Sequence, residues 1–155
     1  MTEKKTTIEL KKLNKKFGDI IAVNNVSLKI SENDFFTILG PSGCGKSTIL
    51  RLIAGLEVQD SGAVIINNKD SSFVQANERP VNMVFQSYAL FPHLSVRDNI
   101  EFGLKLKKIS NTDIKIRVEE ILELVKMNGY DFKLPSELSG GQRQSIALAR
   151  AIVHK

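Results

Sequence analysis

Gly40-Pro41-Ser42-Gly43-Cys44-Gly45-Lys46-Ser47 is the stretch on which the reading of this chain turns. It matches G-x-x-x-x-G-K-[ST], a loop that holds phosphate groups. A triphosphate presents several negative charges and many acceptor oxygens. Glycines at 40, 43 and 45 let the backbone curl so that successive N–H groups point inward. Lys46 supplies a full positive charge, and the Ser47 hydroxyl is an oxygen donor of the kind Mg²⁺ prefers. The flanks agree. Phe35-Phe36-Thr37-Ile38-Leu39 before the loop reads as a strand covered on both sides. Ile49, Leu50, Leu52, Ile53 and Leu56 after it fall on one helical face, with Gly55 near the end. A helix starting at the loop aims the positive end of its dipole at the same anion. The plain alternative is a glycine-rich turn that merely caps a helix. Cys44 offers its backbone N–H, and a reactive thiol there is the weaker reading.

Working outward, the preceding segment is β structure. Ile8 and Leu10 alternate with polar residues, as do Val26, Leu28 and Ile30, so each segment buries one face. Asn24-Asn25 and Asn33-Asp34 read as turns between runs. Ala63–Ile66 is a short apolar run closed by Asn67-Asn68, and Val81–Phe85 reads as a buried strand. The second half is helical. Ser110 and Asp113 have capping-box spacing before Ile114, Val118, Ile121, Leu122 and Val125, and Asn128-Gly129 stops that run. Pro135 breaks the chain again. A last helix runs from about Ser139, with Ile146, Ala149, Arg150 and Val153 on one stripe.

Composition sets the outer bounds. The chain has 155 residues, 42% hydrophobic and 25% charged, which is enough for a core and excludes a disordered or collagen-like chain. No apolar run approaches the roughly 18 residues that span a bilayer, and no secretory signal is visible at Met1–Lys5. One cysteine forms no internal disulfide, so a cytosolic protein is expected. The net charge is +5, and Lys4, Lys5, Lys11, Lys12, Lys15 and Lys16 crowd one end. That fits a solvated strand edge, or contact with an anionic surface. It does not fit a nucleic-acid groove, which spreads basic residues over a face among aromatics.

A second glycine motif opens the last helix: Leu138-Ser139-Gly140-Gly141-Gln142. Ser139 and Gln142 have the spacing of a capping box. Yet two glycines in a first turn cost up to ~1 kcal/mol each relative to alanine. They make sense where something approaches the backbone closely, such as an anion at a helix N-terminus.

The phosphate loop, Gln86 after an apolar strand, and Leu138–Gln142, in that order, resemble the ATP-binding subunit of ATP-binding cassette (ABC) transporters. The likeness covers nearly the whole chain. It implies an α/β fold: a P-loop NTPase core with an antiparallel β edge over 1–86, an α-helical subdomain over 87–137, and the signature helix over 138–155. It implies ATP and Mg²⁺ as ligands, contacted by Gly40, Pro41, Ser42, Gly43, Cys44, Gly45, Lys46, Ser47 and Thr48. Phe17, in Lys16-Phe17-Gly18, resembles the aromatic that stacks on adenine, and is otherwise an ordinary core phenylalanine. Lys46 and Gln86 take catalytic roles by this likeness, with Ser47 and Gln86 on the metal. Gln86, able to donate and accept, also reaches the attacking water, and by its local sequence is a loop glutamine. Ser139, Gly140, Gly141 and Gln142 resemble the signature that meets the γ-phosphate held by a second subunit, in a head-to-tail dimer. Ser87–Asn99, with Tyr88, Phe91, Pro92 and His93, resembles the segment that meets the transmembrane permease. A solute-binding protein outside the cell is an indirect partner, and the expected place is the cytoplasmic face of the membrane. His93 and His154 read as plain surface residues.

Arg79-Pro80-Val81-Asn82 through Phe91-Pro92-His93 most resembles importers of polyamines (spermidine/putrescine). Importers of sugars, iron and thiamine are close relatives. The family pattern continues beyond Lys155 with an apolar strand ending in Asp-Glu. The expectation is therefore an ATPase whose first 155 residues alone hydrolyse ATP poorly and are unstable, with bare apolar faces at Phe35–Leu39 and Val81–Phe85. Rival readings are a non-catalytic nucleotide-binding module, a chromosome-maintenance ATPase and a paired-cassette translation factor. The chromosome-maintenance class inserts long coiled coils between the two glycine motifs, and only 90 residues lie between Ser47 and Leu138.

Overall fold

The computed structural model describes residues 5–154. Lys4, counted above in the basic cluster, and Lys155 lie outside the described residues. Two compact units follow one another, Met1–Val81 and Asn82–Lys155.

In the first unit, β1 (Thr6–Phe17) and β2 (Ile20–Ser31) form an antiparallel hairpin. Its turn is Gly18-Asp19, with Gly18 at φ 57°. β3 (Ser61–Ile66) pairs antiparallel on the other side of β1, and two-residue β4 (Lys69–Asp70) closes the order β2-β1-β3-β4. The Asn67-Asn68 turn lies between β3 and β4, both residues at positive φ. Alternation puts Val64 and Ile66 on one face, and an irregularity of the β1 ladder between Leu10 and Leu13, where Lys12 takes φ 46°, brings both leucines into the same cluster with Val23. Against them packs α1 (Lys46–Ala54), through Leu52 and Ile53. Each such side chain contributes ~1.5–3 kcal/mol by leaving water. Leu50 and Leu56, expected on this face, are about half exposed, because the helix is only nine residues long and its buried stripe is narrow.

Three expectations need correction. Asn24-Asn25 is no turn between runs. It lies inside β2, where Asn25 takes φ 48° at an irregularity of the ladder and donates its N–H to Asn14 Oδ1 at 2.8 Å. Phe35–Leu39 is not a strand either: it runs without ladder bonds, with Phe35 98% and Leu39 87% exposed. Val81–Phe85 likewise has no strand pairing. An apolar run becomes a buried parallel strand only with a hydrogen-bonded neighbour and cover on both faces. Neither run has a strand partner among the described residues. Bare apolar surface is present at Phe35, Phe36 and Leu39, whereas among the apolar residues of Val81–Phe85 only Val84 is exposed and Val81 packs against the core of the first unit. Asn33, at φ 62°, does make its turn, with the Asp34 N–H on Ser31 O at 3.2 Å.

The second unit is helical: α2 (Val96–Leu106), α3 (Asn111–Leu124) and α4 (Gly140–Ile152). Val96, Ile100 and Leu104 of α2 meet Ile114, Val118 and Leu122 of α3 and Ile146, Ala149 and Val153 at the end of α4. α2 was not legible as a separate helix, although Ser95 caps it by accepting the Asp98 N–H at 3.1 Å. Ser110 caps α3 in the same way. α3 ends earlier than Asn128-Gly129, because Lys126 already turns left-handed at φ 57°.

Candidate functional site

The glycine loop of the first unit leads straight into α1. Gly45 is the N-cap, at φ 90°, and the Ile49 N–H closes the first turn on Gly45 O at 2.9 Å. A Cβ on Gly45 would collide with the carbonyl oxygen of Ala22 in β2. The loop is therefore pressed against the sheet backbone at a place only glycine fits. Lys46 Nζ donates to the carbonyls of Gly40 (2.7 Å) and Pro41 (2.6 Å) and lies 3.4 Å from Cys44 Sγ. The ammonium thus sits over the loop, held by neutral carbonyls and, among the described residues, by no carboxylate. Neutral partners leave its charge uncancelled, which suits an anionic ligand. Cys44 is exposed, and its N–H turns to Pro41 O at 3.4 Å. Ser47 and Thr48 follow in the first turn of α1, where N–H groups have no partner within the helix. A glycine-built cradle, an unneutralised ammonium and a helix N-terminus fit a polyphosphate. The Ser47 hydroxyl fits a hard cation beside it. Among the described residues no cluster of three or more His, Cys, Asp or Glu could hold a metal by itself.

Phe17 closes β1 and is 46% exposed, so it is not an ordinary core phenylalanine. Lys15 Nζ lies 5.0 Å from its ring centroid.

Arg79, which opens the Arg79-Pro80-Val81-Asn82 stretch, braces the helix behind the loop. It is buried, and its guanidinium donates to Leu52 O (2.7 Å), Ile53 O (2.9 Å), Val74 O (2.8 Å) and Ser72 O (3.3 Å). It thereby caps the C-terminal end of α1 and fixes the helix that carries Lys46. Burial lowers its pKa, though a guanidinium remains charged. No sequence signal separates this arginine from a surface one. The Gly55 that makes room for it was legible.

In the second unit, Ser139 is the N-cap of α4. Its hydroxyl accepts the Gln142 N–H at 3.3 Å, and Gln142 Oε1 accepts the Ser139 N–H at 2.8 Å. The capping box read from sequence is present. Gln142 Nε2 also donates to the Tyr130 hydroxyl at 3.1 Å. A Cβ on Gly140 or Gly141 would meet nothing within 4 Å, so the chain's own packing does not demand these glycines. Gln86 lies in an exposed turn where the Tyr88 N–H donates to Phe85 O at 2.9 Å.

The Ser87–Asn99 segment is only partly exposed. Tyr88 and Phe91 are half-buried, while Pro92 and His93 are exposed. Phe91 packs against Phe102 at 4.7 Å between centroids, and the Arg150 guanidinium lies 5.2 Å from its ring. The cause is Asn99, fully buried on α2. Its Oδ1 accepts the Phe91 N–H (2.8 Å), and its Nδ2 donates to the carbonyls of Phe91, Leu94 and Ser95. One amide staples the loop. The signal was there: Asn99 interrupts the apolar stripe Val96, Ile100, Leu104. His154 is not a plain surface residue. It is half-buried, its ring lies against Gly103, and its Nδ1 has no hydrogen-bond partner among the described residues. Burial, with Lys107 and Arg117 nearby, lowers its pKa below the usual 6.5.

Comparison with known proteins bears on the same residues. The family model described as "ABC transporter" matches residues 23–155. The spermidine/putrescine import ATP-binding protein PotA of Pasteurella multocida is 50% identical over 153 residues, which is 99% of this chain and 41% of that protein. Its namesake in Photobacterium profundum is 51% identical over 154 residues, with the same coverage. The chain thus spans 41% of the length of these curated relatives. Among solved structures, the dimeric bacterial ABC transporter cassette MJ0796 matches with a TM-score of 0.84 at 34% identity, over 94% of this chain and 69% of that one. The dimeric post-hydrolysis state of MJ0796 with ADP and Pi matches equally well.

Proposed function

The chain belongs to the ABC transporter family, and from that premise we propose that it is the ATP-binding part of a subunit that energises polyamine import. The observation that carries this reading is Lys46 held over a glycine-built loop at the start of α1 by the carbonyls of Gly40 and Pro41. Incoming β- and γ-phosphates take over from those carbonyls, since a charge-assisted contact to phosphate is stronger than one to a neutral oxygen. Gly40 through Thr48 wrap the phosphates, and Phe17 stacks on the adenine.

Ser47 and Gln86 are the proposed oxygen donors to Mg²⁺, which offsets phosphate charge when bound. Gln86 is also the proposed contact for the attacking water. ATP-driven pairing of two cassettes brings Ser139, Gly140, Gly141 and Gln142 of one protomer to the γ-phosphate held by the other. Two of the solved relatives are dimers, which supports pairing. Closure of that pair pushes on transmembrane permease subunits through the Ser87–Asn99 segment, at the cytoplasmic face of the membrane, and hydrolysis reopens it. A solute-binding protein outside the cell delivers the cargo. Among the described residues no helix is long and apolar enough to cross a membrane. Spermidine or putrescine as cargo rests on the names of the relatives at about half identity.

Two measurements test the reading. ATP retained by the chain is expected to be lost in Lys46→Ala. ATP-driven spermidine uptake, measured for the whole protein with its permease in vesicles, is expected to stop with the same substitution. Undiminished ATP binding by Lys46→Ala would overturn the nucleotide site. Uptake of a sugar, iron or thiamine in place of spermidine would overturn the cargo alone.

A further inference from the structure

Lys15 stands out from the lysines around it. Its side chain is only 13% exposed, and its ammonium is held on several sides. Nζ lies 2.9 Å from Glu57 Oε1 and 3.7 Å from Asp60 Oδ1, and it donates to Val58 O at 2.8 Å. The same short segment grips β1 through its backbone. Asp60 Oδ2 accepts the Lys16 N–H at 2.6 Å, and the Asp60 N–H donates to Asn14 O at 2.9 Å. The residues just after α1 thus clamp the strand end that carries Phe17.

The clamped ammonium lies 5.0 Å from the Phe17 centroid, within the range where a cation is drawn to an aromatic face. A lone exposed ion pair would contribute little. Here the ion pairs fix a position, and that position is over the ring. A phenylalanine at a strand end, 46% exposed, would otherwise sample several rotamers. Ordering a side chain on binding weakens affinity, and a ring already held avoids that loss. We propose that Lys15 is the positioning residue of a base-stacking platform: pinned by Glu57, Asp60 and the Val58 carbonyl, it occupies one face of the Phe17 ring and leaves the other for a purine. The proposal deepens the reading of Phe17 as the adenine contact and rests on it. The largest influence on each partner agrees with a tight pair: the Glu57 hydrogen bond raises the Lys15 pKa, and the Lys15 hydrogen bond lowers that of Glu57.

The test separates the base from the phosphates. Affinities of the full chain for ATP and for inorganic tripolyphosphate are measured by calorimetry, and their ratio is the base preference. Lys15→Met is expected to cut that ratio about fivefold, the low end of a base–aromatic stack, without weakening tripolyphosphate. Phe17→Ala is expected to do at least as much. Lys15→Arg, which keeps a cation over the ring, is expected to restore it. Should Lys15→Met fail to fold, Glu57→Gln loosens the ammonium while keeping the lysine, and a reduced ratio is again expected. A ratio unchanged by loss or loosening of Lys15 but lowered by Phe17→Ala overturns the positioning role and leaves Phe17 as the base contact. An equal loss for ATP and tripolyphosphate also overturns it, because Lys15 would then act as a general charge or structural prop. A ratio unaffected by Phe17→Ala overturns the reading of Phe17, and this proposal with it.

Discussion

A Cβ on Gly55 would fall 2.5 Å from the Nε of Arg79. Gly55 is the C-cap of α1, at φ 75°, with its N–H turned back to the carbonyls of Arg51 and Leu52. It therefore serves twice. It takes the left-handed conformation that ends the helix, and it clears the space through which Arg79 reaches Leu52 O and Ile53 O. Gly55→Ala adds left-handed strain and displaces the guanidinium, so a loss of ~2–3 kcal/mol is expected. Arg79→Met keeps most of the volume but leaves buried carbonyls unpaired, and a loss of at least ~3 kcal/mol is expected. Urea unfolding measures both. Because the two act through one contact, the double variant is expected to lose less than the sum. Additive losses would show that the glycine and the arginine act separately.

The phosphate loop contains a second such pair. A Cβ on Gly45 would strike the Ala22 carbonyl of β2, whereas one on Gly43, at φ 81°, would meet nothing within 4 Å. Alanine at 43 brings backbone strain alone, on the order of 1 kcal/mol. Alanine at 45 must also push the loop off the sheet. ATP affinity is therefore expected to fall much further in Gly45→Ala than in Gly43→Ala, as read by titration with a fluorescent nucleotide. Equal losses would mean that the sheet backbone does not set the loop's position.

Local chemistry made much of this site legible. The loop, the helix behind it, the Gly55 stop and the Ser139–Gln142 box all depend on residues within a few positions of one another, and all are present. What was not legible depends on distant partners. Phe35–Leu39 has the composition of a buried strand, but composition does not provide the neighbouring ladder, and the segment runs unpaired. Asn24-Asn25 has turn residues, but Asn14 on the adjacent strand accepts the Asn25 N–H and keeps it in β2. Arg79 and Asn99 become structural only when the carbonyls they satisfy, many residues away for Arg79, are brought to them.

His154 links the stability of the helical unit to pH. Burial, helped by Lys107 and Arg117, holds its folded pKa below the ordinary 6.5. The unfolded chain then binds the proton more readily than the folded one. Stability is present above about 6.5 and falls as pH drops from there toward the folded pKa. The unfolding free energy, read from urea unfolding at a series of pH values, is expected to decline as pH is taken from about 7 down through 6, with a slope no steeper than ~1.4 kcal/mol per pH unit for one group. His154→Gln is expected to flatten that decline. A variant that keeps the wild-type slope would place the titrating group elsewhere.

Gly140 and Gly141 set stability against function. Both lie in the first turn of α4, at ordinary helical backbone, with open space where a Cβ would stand. Alanine is favoured over glycine in a helix by up to ~1 kcal/mol, through the entropy lost on ordering glycine. Gly141→Ala is therefore expected to raise the chain's stability by a few tenths to ~1 kcal/mol in urea unfolding. A larger side chain such as Gly141→Asp keeps the Ser139–Gln142 box but puts bulk and negative charge where the signature is proposed to meet a partner's γ-phosphate. Transport by the whole protein is expected to be lost in that variant while the chain still folds and binds ATP. If Gly141→Asp transports normally, the open space at this helix start is plain surface, and the pairing of two cassettes over one triphosphate needs another contact.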